Sequence, residues 1–303
     1  MKFRRLRALF VEAFTGWREH KASRMAAALA YYTVFSLAPI LVISIALAGL
    51  VFGQEAAEGR IVGQISGLVG QTSASALEAM IAAARKPSTG ILATVLGIAT
   101  LVFGATGVFG ELQESLNTIW GVRPKPGRGF IRMLKNRFIS FAMVLGIGFL
   151  LLVSLVVSAA IAAIGSWMSG LLPLPEAAMQ ILNVAVSIGV VTLLFAMIFR
   201  VLPDVEIAWR DVWVGAAFTA VLFALGKLGI GLYLGKSSTA SSYGAAGALV
   251  VLLVWVYYSA QILFFGAELT RAYAYQHGSR IAPDEDAMPI EAPDGRDRPA
   301  AVH

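Results

Sequence analysis

Charge-free apolar runs recur along this chain and set its predicted elements. The first, AAALAYYTVFSLAPILVISIALAGLVF (26–52), carries one proline and no charge between Arg24 and Glu55. As a helix rising about 1.5 Å per residue it reaches roughly 40 Å, enough for a hydrocarbon core of about 30 Å. Five further runs, at about 91–110, 138–164, 181–199, 212–234 and 245–266, predict five more spans. The expected fold class is an all-α membrane protein with six transmembrane helices within residues 26–275, because a lipid-exposed backbone must satisfy its own hydrogen bonds. Pro39 sits mid-run and strips a hydrogen bond from the carbonyl of Phe35, which predicts a kink relieved by Ser36. Gly97, Gly104, Gly107 and Gly110 in the second run are spaced for close helix approach.

The polar segments predict elements of a different kind. Residues 1–25 form a basic amphipathic helix: Phe3, Leu6, Phe10, Phe14 and Trp17 recur every three or four positions, with Lys2, Arg4, Arg5, Arg7 and Arg18 around them. Such a stripe suits the headgroup layer of an anionic leaflet, and it suits packing against the protein's own loops equally well. Residues 54–89 hold two short amphipathic patterns, Ile61–Val69 and Leu77–Ala84, expected to lie on the outer face or dip into it. ELQESLNTIWGV (111–122) reads as an amphipathic turn, and residues 123–137 as a basic, proline-broken loop. From Ala282 the chain is charged and proline-rich, so 276–303 is expected to be a disordered tail.

Composition sharpens this picture. Of 303 residues, 58% are hydrophobic and 14% charged, against about 45–50% and about 25% in soluble domains, so the excess belongs in lipid. The net charge of +6 is concentrated in loops beside the apolar runs, where it sets topology rather than nucleic-acid binding. Nineteen Lys and Arg fall on the side of the termini and four on the other, with Lys227 inside a span. That bias predicts a multi-pass membrane protein with its N- and C-termini cytoplasmic. Ala46–Ala48 superficially resembles a signal-peptidase site, but the run around it is too long for a signal peptide, so an uncleaved anchor is expected. The absence of cysteine excludes disulfides, thiolate metal sites and cysteine nucleophiles.

No nucleophile–base set, phosphate loop or metal-spaced carboxylate cluster is visible, so neither an enzyme nor a bound cofactor or metal is expected. The candidates are instead polar groups near or within the membrane, where a central charge costs about 2.5–3.5 kcal/mol. Lys227 leads them: it either faces a cavity and meets an anionic headgroup, or snorkels to the outer interface. Glu111 and Glu114 after the second span, Arg200 after the fourth, and Glu268 and Arg271 after the sixth form either a helix-end ion-pair layer or a gate, with Asp204 and Arg210 in the same layer. Asn183 and Gln261 read as interhelical hydrogen-bond partners. Tyr31, Tyr32, Tyr257 and Tyr258 are candidate cavity walls, the first two also fitting an interfacial aromatic belt.

Four stretches, AAALAYYTVFSLAPIL (26–41), GELQESLNTIWGV (110–122), FRVLP (199–203) and LVWVYYSAQILFFGAELTRAYA (253–274), resemble the YihY/BrkB family of bacterial inner-membrane proteins in order and spacing. The resemblance implies six spans with cytoplasmic ends, in agreement with the charge bias. It implies no single activity: members have carried a tRNA-processing ribonuclease label, a link to serum resistance, and an assignment to envelope lipid homeostasis or transport. The nuclease label does not fit, because His20, His277 and His303 lack the carboxylate cluster that hydrolytic metal sites need. Two functions stay open. One is transport or flipping of a lipid or other amphiphile, with membrane lipids as partners and anionic headgroups at the N-terminal helix. The other is a non-transporting scaffold that docks envelope machinery.

Overall fold

The structure, a computed structural model, describes residues 2–53, 107–126, 176–236, 244–277 and 281–290, with helical positions at 55, 58–59, 62–63, 78 and 81–82. Six helices carry the described chain. They are α1 (Lys2–Glu19), α2 (Ala22–Phe52), α3 (residues 107–120), α4 (Glu176–Val201), α5 (Trp209–Lys236) and α6 (Gly244–Gln276). Three stretches of these, Val184–Val201, Trp209–Lys227 and Leu249–Gln276, are long and apolar enough to cross a membrane. α2 continues as one helix of 31 residues through Pro39 to Phe52, so the proline does not end it. Residues 91–106 of the expected span at 91–110, the whole expected span at 138–164, residues 127–137 of the expected loop at 123–137 and the tail beyond Ile290 lie outside the described residues.

Helix α6 is the hub, packing against α1, α2 and α5, while α4 packs on α5. The main core gathers the start of α2 (Ala22, Leu29), α3 (Leu112, Leu116, Ile119), the end of α4 (Phe195, Phe199), the start of α5 (Val212, Ala216) and the end of α6 (Phe264, Ala267). Helix starts and ends therefore alternate at one end of the bundle, where α1 also sits. A second cluster joins Leu41 and Ile45 of α2 to Leu252 of α6 and to Ile81, with Val62 against it. From the segment 54–89, Val62 and Ile81 thus pack on the bundle, while the other apolar positions of its two expected patterns lie outside the described residues.

Helices α5 and α6 approach through a reciprocal pair of small residues. Thr270 fills the space where Gly215 would carry a Cβ, and Thr219 fills the corresponding space at Gly266. Both threonines are fully buried, and each hydroxyl donates to a carbonyl four residues back in its own helix, at 2.7 Å. Burial without an unpaired hydroxyl is possible only because of those internal bonds.

The all-α expectation needs one correction. Four short strands, β1 (Val122–Pro124), β2 (Val205–Glu206), β3 (Ala282–Pro283) and β4 (Ala287–Pro289), form two antiparallel pairs. Val122 faces Pro289 and Pro124 faces Ala287 in one; Val205 faces Pro283 and Glu206 faces Ala282 in the other. Residues 282–289 are therefore not a disordered tail but a clip across the α3–β1 and α4–α5 connections. Its order comes from main-chain bonds, such as Asp284 N to Asp204 O at 3.0 Å and Ile290 N to Gly121 O at 2.8 Å, which composition does not register.

Candidate functional site

Two polar knots and one open groove collect the candidate residues. The first knot is built on Glu268, which α6 carries into a position only 2% exposed. His20, in the two-residue turn between α1 and α2, donates from Nδ1 to Glu268 Oε1 at 2.6 Å. Arg271, one turn on along α6, places Nη1 at 3.7 Å from Oε2 and rests its guanidinium 5.5 Å from the centre of the Tyr275 ring. Gly16 makes the room: a Cβ there would stand 2.5 Å from Glu268 Oε2. Lys21 follows His20 in the left-handed region at φ 55°, which turns the chain from α1 into α2. A buried carboxylate needs such partners, because the desolvation it suffers exceeds what one distant charge returns.

The second knot fixes the α4–α5 connection. Asp204 accepts from Gln113 Nε2 at 3.1 Å and from Asn117 Nδ2 at 2.7 Å, while its own backbone N–H donates to Asn117 Oδ1 at 2.8 Å. Gln113 and Asn117 are four residues apart on α3, hence on one face. Burial pushes the Glu111 carboxyl above its ordinary value, and Glu114 beside it adds to the rise. Arg210 reaches Asp211 at 3.7 Å, and Arg200 closes α4 partly buried, its Nε donating no hydrogen bond among the described residues.

Lys227 lies 12 positions along α5 from Gly215, about 18 Å at the helical rise. It is exposed at a shallow groove between α5 and α6, lined also by Phe223, Trp255, Tyr258, Ser259 and Ile262. Close approach of the two helices is made at Gly226, where a Cβ would meet Tyr258 Cε1 at 2.6 Å; Gly229 meets nothing within 4 Å among the described residues. Among the described residues no acidic group pairs with Lys227.

The structure thus brings Glu268 and Arg271 together as expected and places Tyr258 beside Lys227. It leaves Tyr31 and Tyr32 exposed on α2, edge to face at 5.8 Å, with Tyr31 also against Phe35 at 4.8 Å. Tyr257 is exposed on α6. Among the described residues the buried Oε1 of Gln261 has no hydrogen-bond partner. The side chains of Asn183 and Pro39 lie outside the description. Gly107 meets Ser36 and Tyr32 of α2, whereas Gly110 meets nothing within 4 Å among the described residues. Sequence reasoning missed His20 and Gly16 as partners of Glu268, and Gln113 and Asn117 as partners of Asp204. For the amides the i, i+4 spacing was a usable signal. For His20, 248 positions from Glu268, there was none. Among the described residues no group of three His, Cys, Asp or Glu could hold a metal ion.

A family model described as Virulence factor BrkB matches residues 13–291. A UPF0761 membrane protein of Alcanivorax borkumensis is 26% identical over 291 residues, covering 95% of this chain and 65% of the relative. Another, from Stenotrophomonas maltophilia K279a, is 31% identical over 280 residues, covering 87% of this chain and 59% of its own length. A third, from Ralstonia nicotianae, is 28% identical over 273 residues, covering 88% and 58%. The chain therefore spans roughly three-fifths of the length of these curated relatives. No solved structure matches it. The chain belongs to the BrkB family and is an integral membrane protein.

Proposed function

We propose that this BrkB-family protein binds an anionic amphiphile, a lipid with a phosphate or carboxylate head, at the α5–α6 groove and moves it across the bacterial inner membrane in envelope homeostasis. One observation carries the reading: Lys227 stands exposed between aromatic walls, without an acidic partner among the described residues. A cation at membrane depth is expensive unless something neutralises it, and a lipid head is the anion at hand. Phe223, Trp255 and Tyr258 supply an apolar flank for the acyl or glycerol part. The protein acts here as a carrier rather than an enzyme. Its N- and C-termini are cytoplasmic in this reading, supported by the nineteen-to-four distribution of basic residues.

The test uses purified protein in vesicles carrying a fluorescent phosphatidylglycerol, read as transbilayer movement and as lipid photo-crosslinking to α5. Lys227→Met keeps most of the stem and removes the charge; Lys227→Arg keeps the charge and changes the head. Loss of movement and crosslinking in the Met variant, with partial retention in the Arg variant, is expected. Wild-type behaviour of Lys227→Met at matched folding would discard the carrier reading in favour of a scaffold. Single cysteines at Ser73 and Arg128, probed with an impermeant thiol reagent in spheroplasts, test the orientation: labelling at 73 and not at 128 is expected.

A further inference from the structure

α1 is held in one rotational setting. Leu9 and Ala13 are buried against Leu269 and Ala272 of α6, and Phe10 packs edge-on to Phe218 at 5.3 Å. Gly16 lies on Glu268, and Gln276 Nε2 donates to Glu12 Oε2 at 2.8 Å. With those contacts made, a second face is left over. Arg4, Arg7, Val11, Phe14 and Arg18 follow one another at spacings of three and four, so they form one line about 21 Å long. All five are exposed, Val11 at 57% and Phe14 at 52%. Phe14 is braced by a stacked ring, Trp17, at 5.8 Å and 12°.

We propose that this line is a docking surface for the anionic phospholipid surface bordering the bundle. Two arguments select that occupant. The first is charge: arginines stand at both ends of the line with apolar side chains between them. Guanidinium heads can then reach phosphates while Val11 and Phe14 enter the headgroup–acyl boundary. The second is position: α1 passes through two residues into α2, so its axis ends where a long apolar helix begins. Phe10 and Trp17 of the stripe read from the sequence pack on the protein itself, and only Phe14 of that stripe lies on the exposed line. This inference does not depend on the Lys227 groove.

The experiment uses the full, cysteine-free chain in nanodiscs of phosphatidylcholine with or without phosphatidylglycerol. A spin label at Val11→Cys reports immersion depth by power saturation, with Glu19→Cys as a control away from the line. Adding phosphatidylglycerol should move the label at 11 towards the headgroup–acyl boundary and leave the label at 19 unmoved. Each arginine near an anionic surface contributes about fivefold to association, so Arg4→Gln, Arg7→Gln and Arg18→Gln together should abolish the shift. High salt on the otherwise unaltered labelled chain should weaken it, which gives a reading independent of the triple variant's folding. Equal depth in both lipid compositions would overturn the proposal. So would dipolar coupling between labels of two copies, since the face would then be a protein contact.

Discussion

Glu268 and Lys227 are ionisable groups on neighbouring apolar helices, and the fold treats them in opposite ways. Glu268 is sealed from solvent and supplied with His20, Arg271 and a glycine that makes room for it. Lys227 is exposed beside an aromatic groove, with no acidic partner among the described residues. A buried charge whose partners come from the chain itself is part of the architecture, here the fastening of α1 to α6. A charge left open at the edge of a helix pair is free for a ligand. The difference separates residues whose loss should unfold the protein from those whose loss should silence it.

The sharpest break of that comparison is Glu268→Ala. Removing one member of a buried pair costs about 3–5 kcal/mol, and the low end applies because the partners His20 and Arg271 are themselves only partly buried. Thermal unfolding in lipid nanodiscs should show this loss together with protease access to α1. Lys227→Met should stay within about 0.5 kcal/mol of wild type in the same assay. Equal destabilisation by the two substitutions would erase the distinction.

A smaller effect is expected at the helix pair that carries both residues. Gly215→Ala forces a methyl into the space of Thr270 and should cost about 1–3 kcal/mol. Adding Thr270→Ala removes the hydroxyl from the overlap and should recover part of the loss, so the two changes will not be additive. Additive losses in chemical denaturation would mean that the helices do not meet at this pair.

The smallest effect concerns Glu111, whose carboxyl is raised above 4.5 by burial and by Glu114. The folded protein then holds a proton at pH values where the unfolded chain has released it. Stability from this group therefore falls as pH rises from the ordinary value through the raised one. Glu111→Gln should stabilise slightly at neutral pH, and the advantage should vanish below about pH 4.5. A variant whose unfolding midpoint tracks wild type across that window would contradict the assignment.

The legible parts of the molecule are those where the deciding information is local. α4, α5 and α6 cover the apolar runs at 181–199, 212–234 and 245–266, because each run is uniform over the length a helix needs to bury itself in lipid. The helix of residues 2–19 was equally visible from the three-and-four recurrence of Leu6, Phe10, Phe14 and Trp17. The candidate site was legible in halves. Glu268 and Arg271 share a helix turn, whereas the approach of Tyr258 to Gly226 beside Lys227 joins two helices. The strand clip of 282–289 was not legible, since proline and charge mark a segment with little to bury. Edge pairing needs only backbone groups and a neighbouring strand.

What the sequence alone determined about this protein is its solvent, its helical character and its family, because hydrophobicity, periodicity and motif order are all properties of contiguous residues. Tertiary structure decided which polar groups are fastened and which are open. His20 reaches Glu268 across 248 positions, Asn117 reaches Asp204 across 87, and Asp284 caps the same connection. Such pairings depend on how each helix is rotated about its axis and on which ends of the bundle meet. Both are set by side-chain packing between segments far apart in the chain, such as Thr219 on Gly266 and Thr270 on Gly215.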